Sequence, residues 1–205
     1  MINFIIFSTA SSILRIPSGS SGAASVYPLQ LAHFGPIHGI AAASQDPSCV
    51  VTCSDDGTVC TWSLSHPQLA PFTQLHLARS DSPLSGSALS VALSADTIIS
   101  GWADGNIRGH VRGGPSAAAW VIPGAHALSH ATGVTAMKLS NRSGFLLTGG
   151  AGGEVRCWDM RTRQMASNLK GAIKGAHSGA ISDLHVMADD SHVISASLDR
   201  SWSLW

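Results

Sequence analysis

Three residue types that can together activate a nucleophile lie near the end of the chain. His177, Ser195 and Asp199 supply an imidazole, a hydroxyl and a carboxylate, the groups used by serine hydrolases. The same three types occur earlier in the chain as His33, Thr52 and Asp56. An active site normally occurs once in a chain, so this repetition argues against catalysis.

A tryptophan follows each of these sets at a fixed distance. Trp62 comes ten residues after Thr52, and Trp205 comes ten residues after Ser195. The four groups can form a hydrogen-bonded relay, because an indole N–H only donates, a hydroxyl both accepts and donates, and a carboxylate only accepts. Each buried polar group then has a partner, which avoids a cost of about 1–3 kcal/mol per unpaired group. We therefore predict a structural relay and no catalytic residue.

Three columns of residues repeat along the chain with one period. Positions in the turn column are spaced by 48, 48 and 47 residues, at Asp56, Asp104, Gly152 and Asp199. The aromatic column follows six residues later, at Trp62, His110, Trp158 and Trp205. The hydroxyl column is Thr52, Ser100, Thr148 and Ser195. A period of this size suits a four-stranded unit repeated around an axis.

We number these units repeats 1 to 4, and two of them carry a complete relay. The complete relays are His33–Thr52–Asp56–Trp62 in repeat 1 and His177–Ser195–Asp199–Trp205 in repeat 4. In repeat 3 we expect His130, Thr148 and Trp158 to take part, with Gly152 in place of the carboxylate. In repeat 2 only Ser100 and Asp104 match. We expect repeats 2 and 3 to be less rigid, because their relays are broken.

The elements that must position these residues are short strands. Apolar runs of a few residues alternate with turns rich in Gly, Asp, Ser and Pro, and helical periodicity is absent, which predicts an all-β chain. The expected boundaries are 1–30 for the end of an earlier unit, 31–78, 79–125 for a divergent unit, 126–175 and 176–205. The last unit reaches Trp205 before an outer strand, which favours the hypothesis that this sequence is a piece of a longer protein.

Composition excludes several classes of partner. The 205 residues include 12 Lys and Arg against 12 Asp and Glu, so the formal net charge is zero and no basic surface for nucleic acid is expected. No apolar run is long enough for a membrane span. The four cysteines show no C-x-x-C spacing and are interpreted as buried free thiols of a reducing compartment: Cys49, Cys53, Cys60 and Cys157.

Other polar and aromatic residues receive structural interpretations. The histidine pairs His33/His38 and His126/His130 are interpreted as loop residues rather than metal ligands, so neither a metal nor a cofactor is expected. Three arginines on predicted strands are expected to be solvated: Arg15, Arg108 and Arg156. Trp102 and Trp202 lie outside the aromatic column and are expected to pack in the core, although an exposed tryptophan would mark an interface.

The His, Ser/Thr, Asp and Trp columns resemble the structural tetrad of WD40 repeats over nearly the whole chain. The resemblance implies an all-β, partial WD40 β-propeller of about four to five four-stranded antiparallel blades, not closed within this chain. It also implies a protein-binding scaffold without enzymatic activity. A propeller hydrolase is the catalytic alternative, and turnover lost on changing one Asp or His without unfolding would support it.

A narrower resemblance involves the runs at 101–108 and 149–156, where the tetrad pattern is weakest. They are similar to the cilia- and flagella-associated WD-repeat proteins of motile-cilium doublet microtubules. This implies a non-enzymatic scaffold of the axoneme near the inner junction, contacting tubulin and junction proteins such as enkurin, in the cytoplasm, cytoskeleton and cilium. No nucleic acid, membrane or small-molecule substrate is implied. Because lysines are few, tubulin contact would depend on shape and polar groups. The alternative is a general cytoplasmic or nuclear WD40 adaptor or substrate receptor.

Overall fold

The chain folds into short antiparallel strands. The computed structural model describes residues 4–8, 13–17, 27–29, 33–42, 49–63, 73–76, 86–127, 132–142, 144–169 and 177–205. Every regular element within these ranges is a β-strand. None of the described residues belongs to a helix that is long and apolar enough to cross a membrane. The prediction of an all-β chain is confirmed.

Consecutive strands form five separate sheets. A leading sheet contains β1 (Phe4–Ser8), β2 (Ile13–Pro17) and β3 (Tyr27–Leu29). Sheet 1 contains β4 (Ile37–Ala42), β5 (Cys49–Ser54), β6 (Thr58–Ser63) and β7 (Thr73–His76). Sheet 2 contains β8 (Ala88–Leu93), β9 (Thr97–Trp102), β10 (Ile107–Val111) and β11 (Trp120–Ile122). Sheet 3 contains β12 (Val134–Leu139), β13 (Phe145–Gly150), β14 (Val155–Asp159) and β15 (Gln164–Leu169). Sheet 4 contains β16 (Ile181–Val186), β17 (Val193–Ser197) and β18 (Trp202–Leu204).

Each sheet is a meander in which neighbouring strands are neighbours along the chain. In sheets 1 to 4 the turn between the second and third strands requires a left-handed residue, which favours glycine. Gly57, Gly105 and Gly153 take this position with φ of 77°, 78° and 88°, and Arg200 takes it in sheet 4 with φ of 70°. Separate antiparallel sheets of this kind match the expected partial propeller.

Successive sheets pack face to face, with their first strands side by side. Strands β4, β8, β12 and β16 contact one another in that order, and buried clusters fill the spaces between the sheets. The third strands place Val59, Ile107 and Val155 in these clusters, all fully buried. The first strands are also tied by hydrogen bonds from Ser90 Oγ to the Val134 carbonyl and from Thr135 Oγ1 to the Ile181 carbonyl, both 2.6 Å long.

Two glycines on second strands allow a close approach to the first strand of the next sheet. A Cβ added to Gly101 would lie 2.7 Å from the Cβ of Val134, and one added to Gly149 would lie 2.5 Å from the Cβ of Ile181. Real side chains do not come this close, so a methyl group at either site would push neighbouring sheets apart. The spacing of these sheets therefore depends on glycine, which has no side chain, at both positions.

Sheet 4 has one apolar face that the described residues leave open. Trp202 occupies the same column as Val59, Ile107 and Val155, yet 69% of its surface is exposed, and its neighbour Leu204 is 56% exposed. Trp102, in contrast, is only 2% exposed. The expected core packing is confirmed for Trp102 and is wrong for Trp202, because the burial of this column depends on a following sheet.

The Gly149→Ala substitution tests the close approach between sheets 3 and 4. We expect a loss of about 1–3 kcal/mol in the free energy of unfolding, because the new methyl group overlaps Ile181. The urea midpoint of purified protein measures this loss. Gly144→Ala is the matched control, since a Cβ at Gly144 meets nothing within 4 Å. Equal midpoints for the two variants would contradict the packing described here.

Candidate functional site

The relay of sheet 4 connects four parts of one repeat. Trp205 Nε1 donates to Ser195 Oγ at 2.9 Å, and His177 Nε2 lies 2.8 Å from the same oxygen. His177 Nδ1 lies 3.1 Å from Asp199 Oδ2. The imidazole also meets the Trp205 ring edge to face, with ring centroids 6.4 Å apart. The structure thus brings the four predicted residues of repeat 4 together.

The burial of the relay hydroxyls determines whether they can act as nucleophiles. Because the carboxylate accepts from Nδ1–H, Nε2 is the acceptor for the hydroxyl proton. Each hydroxyl therefore has its proton and a lone pair engaged, and the residues that carry them are 0% exposed: Thr52, Thr148 and Ser195. A nucleophile must reach its substrate, so this geometry supports a structural role for the relay.

Sheet 1 contains the same relay with one additional hydroxyl. His33 Nε2 lies 2.8 Å from Thr52 Oγ1, which accepts from Trp62 Nε1 at 2.9 Å. His33 Nδ1 lies 3.2 Å from Asp56 Oδ2 and 2.9 Å from Thr58 Oγ1. The four predicted residues of repeat 1 are therefore in contact, and Thr58 joins them.

Burial and hydrogen bonding set the charges of this relay. Burial lowers the pKa of His33, although attraction to Asp56 opposes part of that shift. Burial would raise the pKa of Asp56, but hydrogen bonds from Thr58 and the Phe34 N–H outweigh it and hold this pKa below its ordinary value. At neutral pH the relay therefore contains a neutral imidazole and a carboxylate.

The relay of sheet 3 uses a histidine that the spacing argument missed. His126 Nε2 lies 2.7 Å from Thr148 Oγ1, which also accepts from Trp158 Nε1 at 2.8 Å. The assignment of His130 to this relay is wrong, and His130 itself lies outside the described residues. The spacing from histidine to hydroxyl is longer here because the loop after His126 is longer, closed by a bridge between Ala127 and Thr132.

A carboxylate is present in this relay two residues after the turn column. Glu154 Oε1 lies 2.7 Å from His126 Nδ1, so Glu154 replaces the carboxylate that Gly152 lacks. Thr58 and Ser201 occupy the equivalent positions in sheets 1 and 4, and each contacts its histidine at 2.9 Å. The expectation of a broken relay in repeat 3 is wrong. An acidic residue at this offset is the sequence signal that could have revealed it.

Sheet 2 replaces the relay with a different set of contacts. Ser100 Oγ accepts from Trp102 Nε1 at 2.9 Å and donates to the Arg108 carbonyl at 3.2 Å. Asp104 pairs with the Arg108 guanidinium at 2.6 Å, and that guanidinium lies 4.8 Å from the centre of the Trp102 ring. The Arg108 side chain is only 16% exposed, so its expected solvated position is wrong. Arg156 is half-buried, and the side chain of Arg15 lies outside the described part.

His110 takes the aromatic column position in sheet 2 without joining a relay. Its side chain is fully buried, and neither ring nitrogen reaches a partner at hydrogen-bond geometry. Burial lowers the pKa of His110, and the nearby backbone of Ala117 and Ser116 offsets only part of the shift. This imidazole is therefore neutral at pH 7 and is unfavourable to protonate while the chain is folded.

Metal binding and thiol chemistry find little support in the described part of the chain. There, no three His, Cys, Asp or Glu side chains converge as ligands for a metal ion. The four cysteines are thiols that are not joined in disulfides, and burial raises the pKa of Cys53 to about 12 and that of Cys60 to about 11. Such thiols are poor nucleophiles at neutral pH.

A cavity forms where the first strands of the four sheets begin. Each first strand carries a β-bulge there, because one residue has no partner on the second strand. The four bulged residues all line one cavity of about 270 Å³: His38, Leu89, Thr135 and Ser182. Ala180, Ile181 and Leu198 complete its lining. We call this feature the mouth cavity.

The turns beside the mouth cavity are fixed to the first strands. In each sheet the residue before the turn column donates its backbone N–H to the chain just before the first strand, over 2.9–3.0 Å. These residues are Asp55, Ala103, Ala151 and Leu198. The cavity therefore has a fixed rim, and its exposed side chains differ from sheet to sheet.

Thr148→Val should show what one relay hydroxyl contributes. Valine keeps the shape of the side chain but leaves the Trp158 N–H and His126 Nε2 without a partner. We expect the free energy of unfolding to fall by about 2–5 kcal/mol, from two unpaired buried groups. Thr162→Val, at an exposed site, is the control, and urea unfolding of both variants is the measurement. A loss no larger than that of the control would refute the relay in sheet 3.

His110→Phe should reduce the sensitivity of stability to acid. The folded pKa of His110 lies below its unfolded value of about 6.5, so the unfolded chain binds more protons as pH falls through that value. Stability is therefore present above that pH and is lost below it. We expect the free energy of unfolding to fall less between pH 7 and pH 5 in the variant than in the wild type. If the free energy of unfolding falls in parallel with pH in the variant and the wild type, His110 is not the source of the acid sensitivity.

Comparison with known proteins agrees with the repeats seen in the structure. The family model described as WD domain, G-beta repeat matches residues 26–63, 125–159 and 169–205, which together make up more than half of the chain. No curated protein sequence matches the chain closely enough to establish a relationship. The matched ranges contain the three relays that carry a histidine, while the divergent sheet 2 lies largely between them. The chain belongs to the WD40-repeat family.

Proposed function

We propose that this chain is a non-enzymatic scaffold of the motile-cilium axoneme that supports doublet stability and ciliary beating. At the coarser level, WD40 repeats indicate a protein-interaction scaffold. The relay hydroxyls that resemble a catalytic serine are buried and hydrogen-bonded, in keeping with a structural role for the relay. The fold alone does not identify a partner, so the binding surface must be inferred from the residues of the site.

The mouth cavity is the observation that carries the binding role. Four sheets each contribute one bulged residue to it, and the turns around it are held by backbone hydrogen bonds. Binding sites are commonly concave, pre-formed and built from apolar groups with a few polar ones. Leu198 projects beside the cavity with 73% of its surface exposed, although it is a large apolar residue. Such a residue on a fixed turn suits contact with another protein.

The axonemal part of the proposal is supported by resemblance. Runs 101–108 and 149–156 are similar to the cilia- and flagella-associated WD-repeat proteins, and the second run includes the replacement of the tetrad carboxylate by Gly152. The partners proposed on this basis are tubulin and other doublet or inner-junction proteins. With a net charge of zero, contact with tubulin would depend on shape and polar groups.

A tagged form of the protein in motile ciliated cells tests this proposal. We expect it to stay with the axoneme after extraction with detergent and salt. Leu198→Ser should reduce the retained fraction, because it removes an exposed apolar contact beside the mouth cavity. Met165→Ser, at a 51% exposed site on the outer strand β15, is the matched control. Absence of the wild-type protein from the axoneme would refute the ciliary assignment, and association with a cytoplasmic or nuclear complex would favour the adaptor alternative.

A further inference from the structure

The size of the mouth cavity limits what can enter it. Its volume of about 270 Å³ is below the range of roughly 300–1,000 Å³ that is usual for sites of drug-sized ligands. Leu89, Ala180, Ile181 and Leu198 make most of its lining apolar. A cavity of this size and character suits one apolar side chain of a partner rather than a cofactor.

The side of the cavity with ionisable groups lies in sheet 1. His38 lines the cavity, and its Nε2 lies 2.7 Å from Asp55 Oδ1. The two side chains remain 35% and 42% exposed. The residues equivalent to Asp55 in sheets 2 to 4 are alanine, alanine and leucine. Among these four equivalent positions, only the one in sheet 1 therefore carries a carboxylate.

The turns at this end of the sheets carry more negative than positive charge. Asp56 and Glu154 stay ionised beside histidines that burial keeps neutral, because hydrogen bonding lowers both carboxyl pKa values. Asp199 has a pKa far below its ordinary value, since the Ser201 hydroxyl donates to it. The guanidinium of Arg108 is paired with Asp104, Arg156 lies near Glu154, and Arg200 follows Asp199 in the turn of sheet 4. Carboxylates at these turns still outnumber guanidiniums by five to three, and Asp55 and Asp56 are adjacent, so the potential around Asp55 favours a cation.

We propose that the mouth cavity binds a partner segment that inserts one aliphatic or aromatic side chain between Leu89 and Leu198 and places a nearby lysine or arginine on Asp55. This inference rests on the proposed scaffold function and specifies the chemistry of its partner. The apolar side chain supplies most of the affinity, while the charged contact supplies selectivity and a faster association. An acidic protein surface does not fit this site.

Selection from an unbiased library of displayed peptides tests the proposal on the purified chain. We expect enriched sequences to combine a large apolar residue with a lysine or arginine one to three positions away. Synthetic peptides of the enriched sequence should bind more weakly as ionic strength rises. Circular dichroism and the urea midpoint confirm that each variant is folded.

Substitutions on the rim assign the bound peptide to the cavity. Leu198→Ser should reduce its affinity at least tenfold. Asp55→Lys should weaken the basic peptide by about five- to tenfold and should favour the same peptide with glutamate in place of the basic residue. The affinity of the Asp55→Asn variant for the basic peptide should lie between that of the wild type and that of Asp55→Lys. Asp96→Lys, a charge reversal in the turn at the opposite end of sheet 2, is the matched control and should change neither affinity.

The outcomes separate this inference from the proposed function. Enriched peptides that require Leu198 but contain no basic residue would overturn the partner chemistry and leave the scaffold function standing. Enriched peptides whose affinity is unchanged in both the Leu198 and the Asp55 variants would bind elsewhere on the chain. This result would overturn the mouth cavity as the site. Failure of the folded chain to enrich any peptide would overturn this inference, while retention of the tagged protein in the axoneme remains the separate test of the scaffold function.

Discussion

The hydrogen-bonded relay between indole, hydroxyl, imidazole and carboxylate is the interaction on which the rest of the structure depends. It connects the loop before the first strand, the second strand, the following turn and the third strand of one repeat. In sheet 4, for example, Ser195 Oγ meets both Trp205 and His177 within 3 Å. Burying any one of these polar groups without its partners would cost free energy. The four segments are therefore expected to fold cooperatively. The sheet faces are then flat and apolar enough to stack.

Part of this arrangement was readable in the sequence, because the second and third strands pair through a tight turn of constant length. That constancy fixes the distances from Thr52 to Asp56 and Trp62, and the same holds in repeat 4. The histidine comes from a loop whose length varies, and spacing therefore favoured His130 over His126. Glu154 was missed because a carboxylate was expected only in the turn column, whereas the side chain two residues later also reaches the imidazole, as Thr58 and Ser201 do.

Features that depend on contacts between strands or sheets could not be predicted in the same way. Trp102 reaches Ser100 from its own strand, which no column of residues suggests. The exposure of Trp202 depends on what covers its sheet. The mouth cavity depends on bulges, which are set by backbone pairing rather than by residue type. His38 and Ser182 share little chemistry, yet the same irregularity directs both toward one cavity.

The glycines between sheets have a consequence for how such a chain can diversify. At two junctions a glycine on a second strand faces the first residue of the next sheet: Gly101 faces Val134, and Gly149 faces Ile181. Cys53, the equivalent residue of sheet 1, lies in the same buried cluster as the small Ala88. Side-chain size is therefore matched across these junctions rather than within one repeat. Moving a whole repeat to another position would separate these matched pairs, so we expect such exchanges to destabilise the stack.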